Sequence, residues 1–247
     1  MNDPQPTELS VASVLELLAQ GELNVQGMLP WSSNYTLLTT VQNNRLQGLA
    51  VYKPRRGERP LWDFPRGTLC QREVAAYLLS ESLGWSLVPP TILRDGPYGI
   101  GSVQLFIDAD QEAHLFTMQQ DGLFGPQIER LAVFDVLANN ADRKSGHCLK
   151  GNDGHMWAID HGICFHVELK LRTVLWDFAG QPLPPDILAD LKSLRTRLRK
   201  DDKLIEMFGS LLATDELRAL RQRLGRLIET GKHPEAGHGR NMPWPPV

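Results

Sequence analysis

The chain has 247 residues, of which 42% are hydrophobic and 22% are charged, and its formal net charge at neutral pH is −3. This length suffices for one large domain or two small lobes, and the balance of residue types is that of an ordinary globular protein. A net charge so close to zero gives no general attraction to nucleic acid or to an anionic membrane, so we expect neither as a partner.

Cysteine usage and the N-terminal sequence indicate the compartment. Cys70, Cys148 and Cys164 are widely and irregularly spaced, so they form neither a disulfide framework nor a paired CxxC metal site. The sequence MNDPQPTELS lacks the basic flank and apolar stretch of a secretory signal, and no apolar run approaches the ~18 residues of a membrane span. We therefore expect a cytoplasmic protein that is not inserted in a membrane.

The first part of the chain predicts a helix followed by strands. Apolar residues at helical spacing predict a helix over residues 8–20. Three strands follow, in GELNVQGMLPW, NYTLLTTVQ and RLQGLAVYK, and Asn43-Asn44 suits a tight turn with positive φ between the last two. Thr68 to Gln71 matches a capping box that starts a helix over about 69–83. The sequences TILRD and GSVQLFID complete five strands before residue 110.

The remainder of the chain predicts mainly helices. Pro126 starts a helix that ends near Asn140, and HCLK and HMWAI form a short hairpin around the sequence GNDG. Two more helices are predicted over about 184–208 and 214–230. The shift in pattern predicts an α+β fold, with a small antiparallel-sheet lobe over residues 1–108 and a mainly helical lobe over residues 109–247.

Charged residues follow these elements in an order that suits phosphoryl transfer. Lys53 ends an apolar strand, and Glu73 lies in the first turns of the next helix. Transfer of a γ-phosphoryl group needs a cation to hold the phosphates of ATP and a carboxylate to fix that cation. A strand lysine and a helix glutamate are the arrangement of the protein-kinase signature.

Two aspartates flank the predicted short hairpin. Asp142 follows the helix that ends near Asn140, and Asp160 lies in the turn IDHG, 160 − 142 = 18 residues later. A loop and one small hairpin account for this separation if both carboxylates converge. We predict that Asp142 accepts the proton of an attacking hydroxyl and that Asp160 binds metal ions. Arg143 is predicted to neutralise a nearby phosphate or acid.

The segment LPWSSNY, between the first two strands, is a candidate phosphate-covering loop. Ser32, Ser33 and Asn34 have small polar side chains that offer hydroxyl and amide donors in addition to backbone N–H groups. The loop lacks the glycines that a standard loop of this kind contains.

The motifs YKP, REVAAYLL, NNADRKSGHCL and AIDHG, in this order, resemble those of the bacterial phosphatidylinositol 3-/4-kinase-like proteins, which also resemble HipA-type and Fam20-type atypical kinases. From SSNY to IDHG the motifs span residues 32–162, about half of the chain. The resemblance implies a bilobal protein-kinase-like fold with ATP between the lobes. It also implies that Asp142 is the base and that His147 and Asp160 bind Mg²⁺ or Mn²⁺. Adenine is expected near the lobe junction, at Gln104, Phe106 and Asp108.

Two positions depart from the family pattern. His147 stands where the family has a metal-binding asparagine, and Mg²⁺ prefers oxygen ligands whereas imidazole suits transition metals. His161 stands where the motif usually has phenylalanine, a residue that packs and does not bind metal. The first departure keeps two alternatives open: a pseudokinase that binds nucleotide without transferring phosphate, and an AMPylating variant on the same fold.

Other interpretations concern the histidines and the acceptor. A zinc hydrolase would use His147, His155, His161 and His166, but the chain has no HExxH motif and no cysteine pair. The basic run at 192–203 is expected to be the solvated face of a helix that buries Leu191, Leu194 and Leu198. Lys170 and Arg172, after the IDHG turn, would favour an acidic or phosphorylated acceptor. Whether the acceptor is a protein, a lipid or a small molecule stays open, because a fold does not fix a substrate.

Overall fold

The computed structural model describes residues 9–30 and 34–247. They form two compact units: the chain up to Arg59 together with Pro90–Phe106, and Pro60–Pro89 together with Ile107–Val247. The second unit resumes at Ile107, close to the predicted change at residue 108. It also includes residues 60–89, which the sequence pattern groups with the sheet.

The first unit is an antiparallel sheet with one helix. Helix α1 (Val11–Gln20) begins at Ser10, whose hydroxyl accepts a hydrogen bond from the amide of Ser13 at 3.1 Å. The five predicted strands are confirmed, and they pair in the order β1-β2-β3-β5-β4. Their bounds are β1 (Glu22–Met28), β2 (Leu37–Gln42), β3 (Gln47–Pro54), β4 (Thr91–Gly96) and β5 (Gly99–Leu105).

The turn between β2 and β3 differs from the predicted tight turn. Neither Asn43 nor Asn44 has a positive φ. Instead, Oδ1 of Asn43 accepts hydrogen bonds from the amides of Arg45 and Leu46 at 2.9 and 2.8 Å. An asparagine side chain that satisfies two loop amides stabilises a four-residue connection without left-handed backbone.

The core of the first unit fixes the face from which Lys53 projects. Leu17 and Leu18 of α1 belong to a buried cluster with Ala50 and Tyr52 of β3. Successive side chains of a strand point to opposite faces of its sheet. Lys53, which pairs with Ser102 of β5, therefore projects from the face opposite this core.

The second unit contains six helices and one short hairpin. These elements are α2 (Leu69–Leu83), α3 (Leu115–Gln120), α4 (Gly125–Ala138), β6 (Cys148–Lys150), β7 (Met156–Ala158), α5 (Pro185–Lys200), α6 (Asp202–Leu211) and α7 (Thr214–Thr230). Among the described residues, the helices are all too short or too polar to cross a membrane.

Three predictions about these helices need correction. The capping box at Thr68 is absent: Thr68 has helical backbone angles, and its hydroxyl oxygen accepts from Nε of Arg72 at 3.3 Å and from no backbone amide of the helix. Helix α3 was not predicted. The helix predicted over 184–208 is two helices, because the carboxylate of Asp201 caps α6 by accepting the amide of Leu204 at 3.0 Å.

The predicted apolar face of the basic segment is confirmed. Leu191, Leu194 and Leu198 of α5 are at most 1% exposed, while Lys192 and Arg199 lie on its exposed face. The basic run is therefore the solvated side of an amphipathic helix.

Candidate active site

The loop that follows α4 and the hairpin β6–β7 bring two predicted site residues together. Residue Asn139 ends α4 in the left-handed conformation, with φ 52°. The strands then pair Cys148 with Ala158, and the amide of Ile159 donates to the carbonyl of His147 at 3.0 Å. This pairing places His147 beside the IDHG turn.

His147 and Asp160 form the centre of the candidate site. Nε2 of His147 lies 3.4 Å from Oδ2 of Asp160, and the Asp160 side chain is 49% exposed. Asp160 has φ 61°, a left-handed conformation that aspartate adopts more readily than most residues. Residues held in this region cluster at functional sites, where the surrounding structure maintains them.

Asp142 lies within electrostatic range of this pair. Burial raises the pKa of the Asp142 carboxyl and the charge of Asp160 raises it further, while Lys144 and Arg172 oppose both effects. Nζ of Lys144 is 3.5 Å from Oδ2 of Asp142. A raised pKa moves a carboxylate toward the range in which it can accept a proton during catalysis.

Glu73 connects α2 to the IDHG turn. Its carboxylate is 3% exposed, and Oε2 accepts a hydrogen bond from the amide of His161 at 2.9 Å. Glu73, Asp142, His147 and Asp160 thus all belong to the second unit, whereas Lys53 belongs to the first.

Arg143 neutralises an acid, which is one of the two partners predicted for it. That acid is Asp135 of α4, at 3.1 Å, and Nη1 of Arg143 donates to the carbonyl of Ile159 at 3.0 Å. The Arg143 side chain has no exposed surface, so the predicted alternative of a direct contact with a substrate phosphate does not fit its burial. We assign Arg143 to the support of the loop.

Of the three residues predicted to contact phosphate, the structure describes Asn34 alone. Ser32 and Ser33 lie outside the described residues. Oδ1 of Asn34 accepts the amide of Arg59 at 2.8 Å, an interaction within the first unit.

The predicted adenine contacts are divided between the units. Nε2 of Gln104 donates to the Thr91 hydroxyl at 2.8 Å, so this side chain is engaged inside the sheet. The amide of Phe106 donates to the carbonyl of Leu49 and continues the pairing with β3. Asp108 belongs to the second unit, is exposed, and accepts the amide of Asn152 through its carbonyl.

The histidines of the hydrolase interpretation are dispersed. Nε2 of His155 contacts the carbonyl of Ser86 and Nε2 of His166 contacts that of Asp63, both at 2.8 Å. His161 is buried with its ring 5.5 Å from that of Phe134 and packs as predicted. In the part of the chain that the structure describes, no three His, Cys, Asp or Glu residues are grouped to hold a metal.

The segment after the IDHG turn packs on residues 140–147, the predicted catalytic loop, because the backbones of Arg172 and Asn140 are hydrogen-bonded at 2.8 Å. Lys170 is 11% exposed and its Nζ lies 3.0 Å from Oδ2 of Asp63, so its side chain is engaged inside the protein. Burial raises the pKa of Asp142, and the positive charge of Arg172 opposes that effect. The C-terminal segment also packs on this part of the chain, because the carbonyl of Asn241 accepts the amide of Thr173 at 3.1 Å.

Two residues near the site were missed from the sequence. Lys144 lies two positions after Asp142, and a cation next to a proposed base in a loop is a signal that could have been used. Asp135 carries no motif of its own, since an acid near the end of a helix is usually solvated.

Comparison with known proteins gives a full-length relative. No protein-family model matches the chain. Protein Rv2133c of Mycobacterium tuberculosis is 41% identical over 266 aligned residues, covering 93% of this chain and 94% of that protein. Phosphatidylinositol 4-kinase gamma 4 of Oryza sativa subsp. japonica is 31% identical over 172 residues. That match covers 61% of this chain but only 30% of the rice protein.

Solved structures show the fold. The Golgi casein kinase with Mn/ADP bound is similar with a TM-score of 0.58 at 16% identity, over 89% of this chain and 74% of that one. The proinflammatory kinase CtkA of Helicobacter pylori is similar with a TM-score of 0.51 at 16% identity, over 87% of this chain and 94% of that one. The predicted α+β kinase-like fold is confirmed. Together with Protein Rv2133c, the chain belongs to the bacterial phosphatidylinositol 3-/4-kinase-like family, which is related to the atypical kinases.

Proposed function

We propose that the protein is an ATP-dependent phosphotransferase that moves the γ-phosphoryl group to a hydroxyl of a protein or a small molecule. The observation that carries the proposal is the 3.4 Å separation of Nε2 of His147 and Oδ2 of Asp160. Burial and, to a lesser extent, the charge of Asp160 raise the pKa of the nearby Asp142. A metal ligand pair next to a candidate base is what phosphoryl transfer needs in one place.

Asp142 would act as the general base. The acceptor hydroxyl gives its proton to this carboxylate while its oxygen bonds to the γ-phosphorus, and the bond from that phosphorus to the bridging oxygen of ADP breaks. Lys144, 3.5 Å from Asp142, would offset negative charge on the transferred group. Lys53 would hold the α- and β-phosphates, and this role, like that of Glu73, is proposed on the resemblance alone.

Mg²⁺ and Mn²⁺ are the proposed ions, and the donor set suits Mn²⁺ better, because imidazole favours transition metals over Mg²⁺. One carboxylate oxygen and one imidazole nitrogen at 3.4 Å are close enough to bind the same ion, with phosphate oxygens and water as further ligands. The ion, when bound, would neutralise the charge of the phosphates.

Two further assignments belong to the same proposal. All three cysteines are free and buried, which supports the predicted cytoplasmic location. Adenine contacts at Gln104, Phe106 and Asp108 and phosphate contacts at Ser32, Ser33 and Asn34 are proposed on the resemblance alone.

A nucleotide-binding protein without transfer, or an AMPylating enzyme, is the second candidate. The observation that favours it is His147 in the place of the asparagine, because a changed metal shell alters how the triphosphate is held.

The test combines ATP binding, measured by thermal unfolding, with the transfer of label from γ-labelled and α-labelled ATP. Thermal unfolding of the wild type with ATP and Mn²⁺ or Mg²⁺ should show stabilisation of ~2.7 kcal/mol at 100 times the Kd. Asp160→Asn should abolish the metal-dependent part. Transfer of label from γ-labelled ATP to a protein or a small molecule supports the kinase, and transfer from α-labelled ATP supports AMPylation. Stabilisation without any transfer supports the pseudokinase, and the absence of stabilisation contradicts all three.

A further inference from the structure

One buried carboxylate lies at the centre of the loop that carries the proposed chemistry. Asp135, in the last turn of α4, has no exposed surface. Three side chains donate hydrogen bonds to it: Nδ2 of Asn140 at 3.0 Å, Nε and Nη2 of Arg143 at 3.1 to 3.2 Å, and Oγ1 of Thr173 at 3.1 Å. Both carboxylate oxygens are thus satisfied by groups from the catalytic loop and the following segment.

The first connection from Asp135 leads to Asp142. Asn140 donates its side-chain amide to Asp135 and accepts the amide of Asp142 through Oδ1 at 3.0 Å. Arg143, the next residue after Asp142, is held by Asp135 through its guanidinium. Asp142 is therefore anchored through the chain on both of its sides.

The second connection leads to Asp160. Nη1 of Arg143 donates to the carbonyl of Ile159 at 3.0 Å, and its Nη2 contacts Nε2 of His161. These are the residues directly before and after Asp160. The same guanidinium thus holds both neighbours of the proposed metal ligand, whose own side chain points to solvent.

Stability alone does not explain this network. Taking two charges out of water is costly, and replacing a buried ion pair with apolar residues of similar size is often neutral or stabilising. A carboxylate that accepts from three side chains instead fixes where each of them lies.

We infer that Asp135 is a positioning residue that sets the separation of Asp142 and Asp160 by holding Asn140 and Arg143. The inference rests on the proposed function for the roles of those two aspartates. Catalytic groups lose about 100-fold in rate when displaced by about 1 Å, so a support of this kind matters more for turnover than for folding.

The experiment uses variants that separate position from folding. Asp135→Asn removes the charge and leaves Arg143 buried without a counter-charge. The double variant Asp135→Leu with Arg143→Met removes both charges, so it should fold even if the single variant does not. Thr173→Val removes one hydrogen bond to Asp135 and no charge. Glu216→Gln is the matched control, because Glu216 forms a buried ion pair with Arg72, and neither residue belongs to the segments 140–147 and 159–161 whose exchange is measured.

Two readouts decide the inference. Hydrogen exchange of the amides in residues 140–147 and 159–161 should be about tenfold faster in the Asp135 variants and unchanged in the Glu216→Gln control. With Mn²⁺ and ATP, turnover per folded molecule should fall about 100-fold in the double variant, with KM for ATP within about threefold of wild type. Thr173→Val should also speed hydrogen exchange in these segments and lower turnover, each by less than in the Asp135 variants.

The outcomes are distinguishable from failure of the proposed function. A folded double variant with wild-type exchange in both segments overturns the inference, whatever the activity. A wild type that transfers no phosphate contradicts the proposed function, and the exchange comparison then decides alone whether Asp135 holds the two segments. Equal losses of turnover in the double variant and in Glu216→Gln would also overturn it, since that pattern is a general effect of lost stability.

Discussion

His147 and Asp160 face each other across the open end of the β6–β7 hairpin, with Nε2 and Oδ2 3.4 Å apart. Because imidazole favours transition metals over Mg²⁺, replacing it with a hard oxygen ligand should change the metal preference. We expect His147→Asn to lower the ratio of Mn²⁺ to Mg²⁺ affinity about tenfold, at the lower end of what altered metal surroundings produce. Metal titrations followed by thermal unfolding in the presence of ATP measure this ratio. His155→Asn, at a histidine away from the site, is the control, and an unchanged ratio in His147→Asn would remove His147 from the metal shell.

Asp142→Asn should lower activity and raise stability. Loss of the general base should reduce turnover by about 10² to 10⁴. Burial raises the pKa of Asp142 above its unfolded value, so between the two values the folded protein binds more protons than the unfolded chain. By linkage, the free energy of unfolding falls as pH rises through this window and stays lower above it.

The pH profile of the Asp142 variant tests that sign. Asp142→Asn should unfold at a higher temperature than wild type at pH 7. The difference should vanish below about pH 3, where the carboxyl is protonated in both the folded and the unfolded protein. Asp95→Asn, at an exposed carboxylate of β4, should show no such difference. A variant that is less stable than wild type at pH 7 would contradict the assignment.

Lys53→Ala should weaken ATP binding without unfolding the sheet. The residue lies on the β3 face opposite the α1 core, so truncation leaves that core intact. We expect an increase of about tenfold or more in the Kd for ATP, which corresponds to a lost charge-assisted contact of about 1.4 kcal/mol. Calorimetric titration gives the Kd, and Arg45→Ala removes an exposed cation of the same unit as a control. If Lys53→Ala and Arg45→Ala bound ATP with the same Kd, Lys53 would not contact the phosphates of ATP.

Leu194→Ala tests the buried face of α5. Leu194 is fully buried, so the cavity should reduce the free energy of unfolding by about 2–5 kcal/mol. Lys192→Ala, on the exposed face of the same helix, should change it by no more than about 0.5 kcal/mol. Urea unfolding measures both, and similar losses in the two variants would mean that the basic run is not merely a solvated surface.

His233 should make stability depend on pH. Burial lowers its pKa, and the hydrogen bond of its Nε2 with Oε1 of Glu129 at 3.3 Å opposes that shift. The folded protein thus binds fewer protons than the unfolded chain near pH 6.5, so stability is lost as pH falls through that region. His233→Gln should flatten this part of the profile, whereas His238→Gln, at an exposed histidine, should not. Identical profiles for both variants and the wild type would contradict the shift.

The local sequence was sufficient for most of the fold. The five strands and α2 were predicted because alternation, proline pairs and the glycine after Leu83 act over a few residues. The capping box at Thr68 failed because Thr68 has helical backbone angles and its hydroxyl oxygen accepts from the side chain of Arg72. The division of one predicted helix at Asp201 was missed because a single aspartate among charged residues looks like helix surface.

The candidate site was predictable only where its parts are close in sequence. The spacing of Asp142 and Asp160 around a hairpin is a local feature, and their proximity to His147 follows from it. The role of Arg143 was not predictable, since its partner Asp135 is eight residues away on a helix and Thr173 is thirty-eight residues from Asp135. A sequence shows that an arginine follows an aspartate, but only packing shows that the arginine points inward.

The carbonyl of Pro246 accepts the amide of Ser145 at 2.8 Å, next to the residues that carry the proposed chemistry. A protein attached next to Pro246 would therefore lie close to residues 140–147. Fluorescent reporters and affinity handles attached at that position would disturb the very measurement they are meant to assist. A long spacer, or attachment elsewhere, is the sound choice for enzymology on this chain.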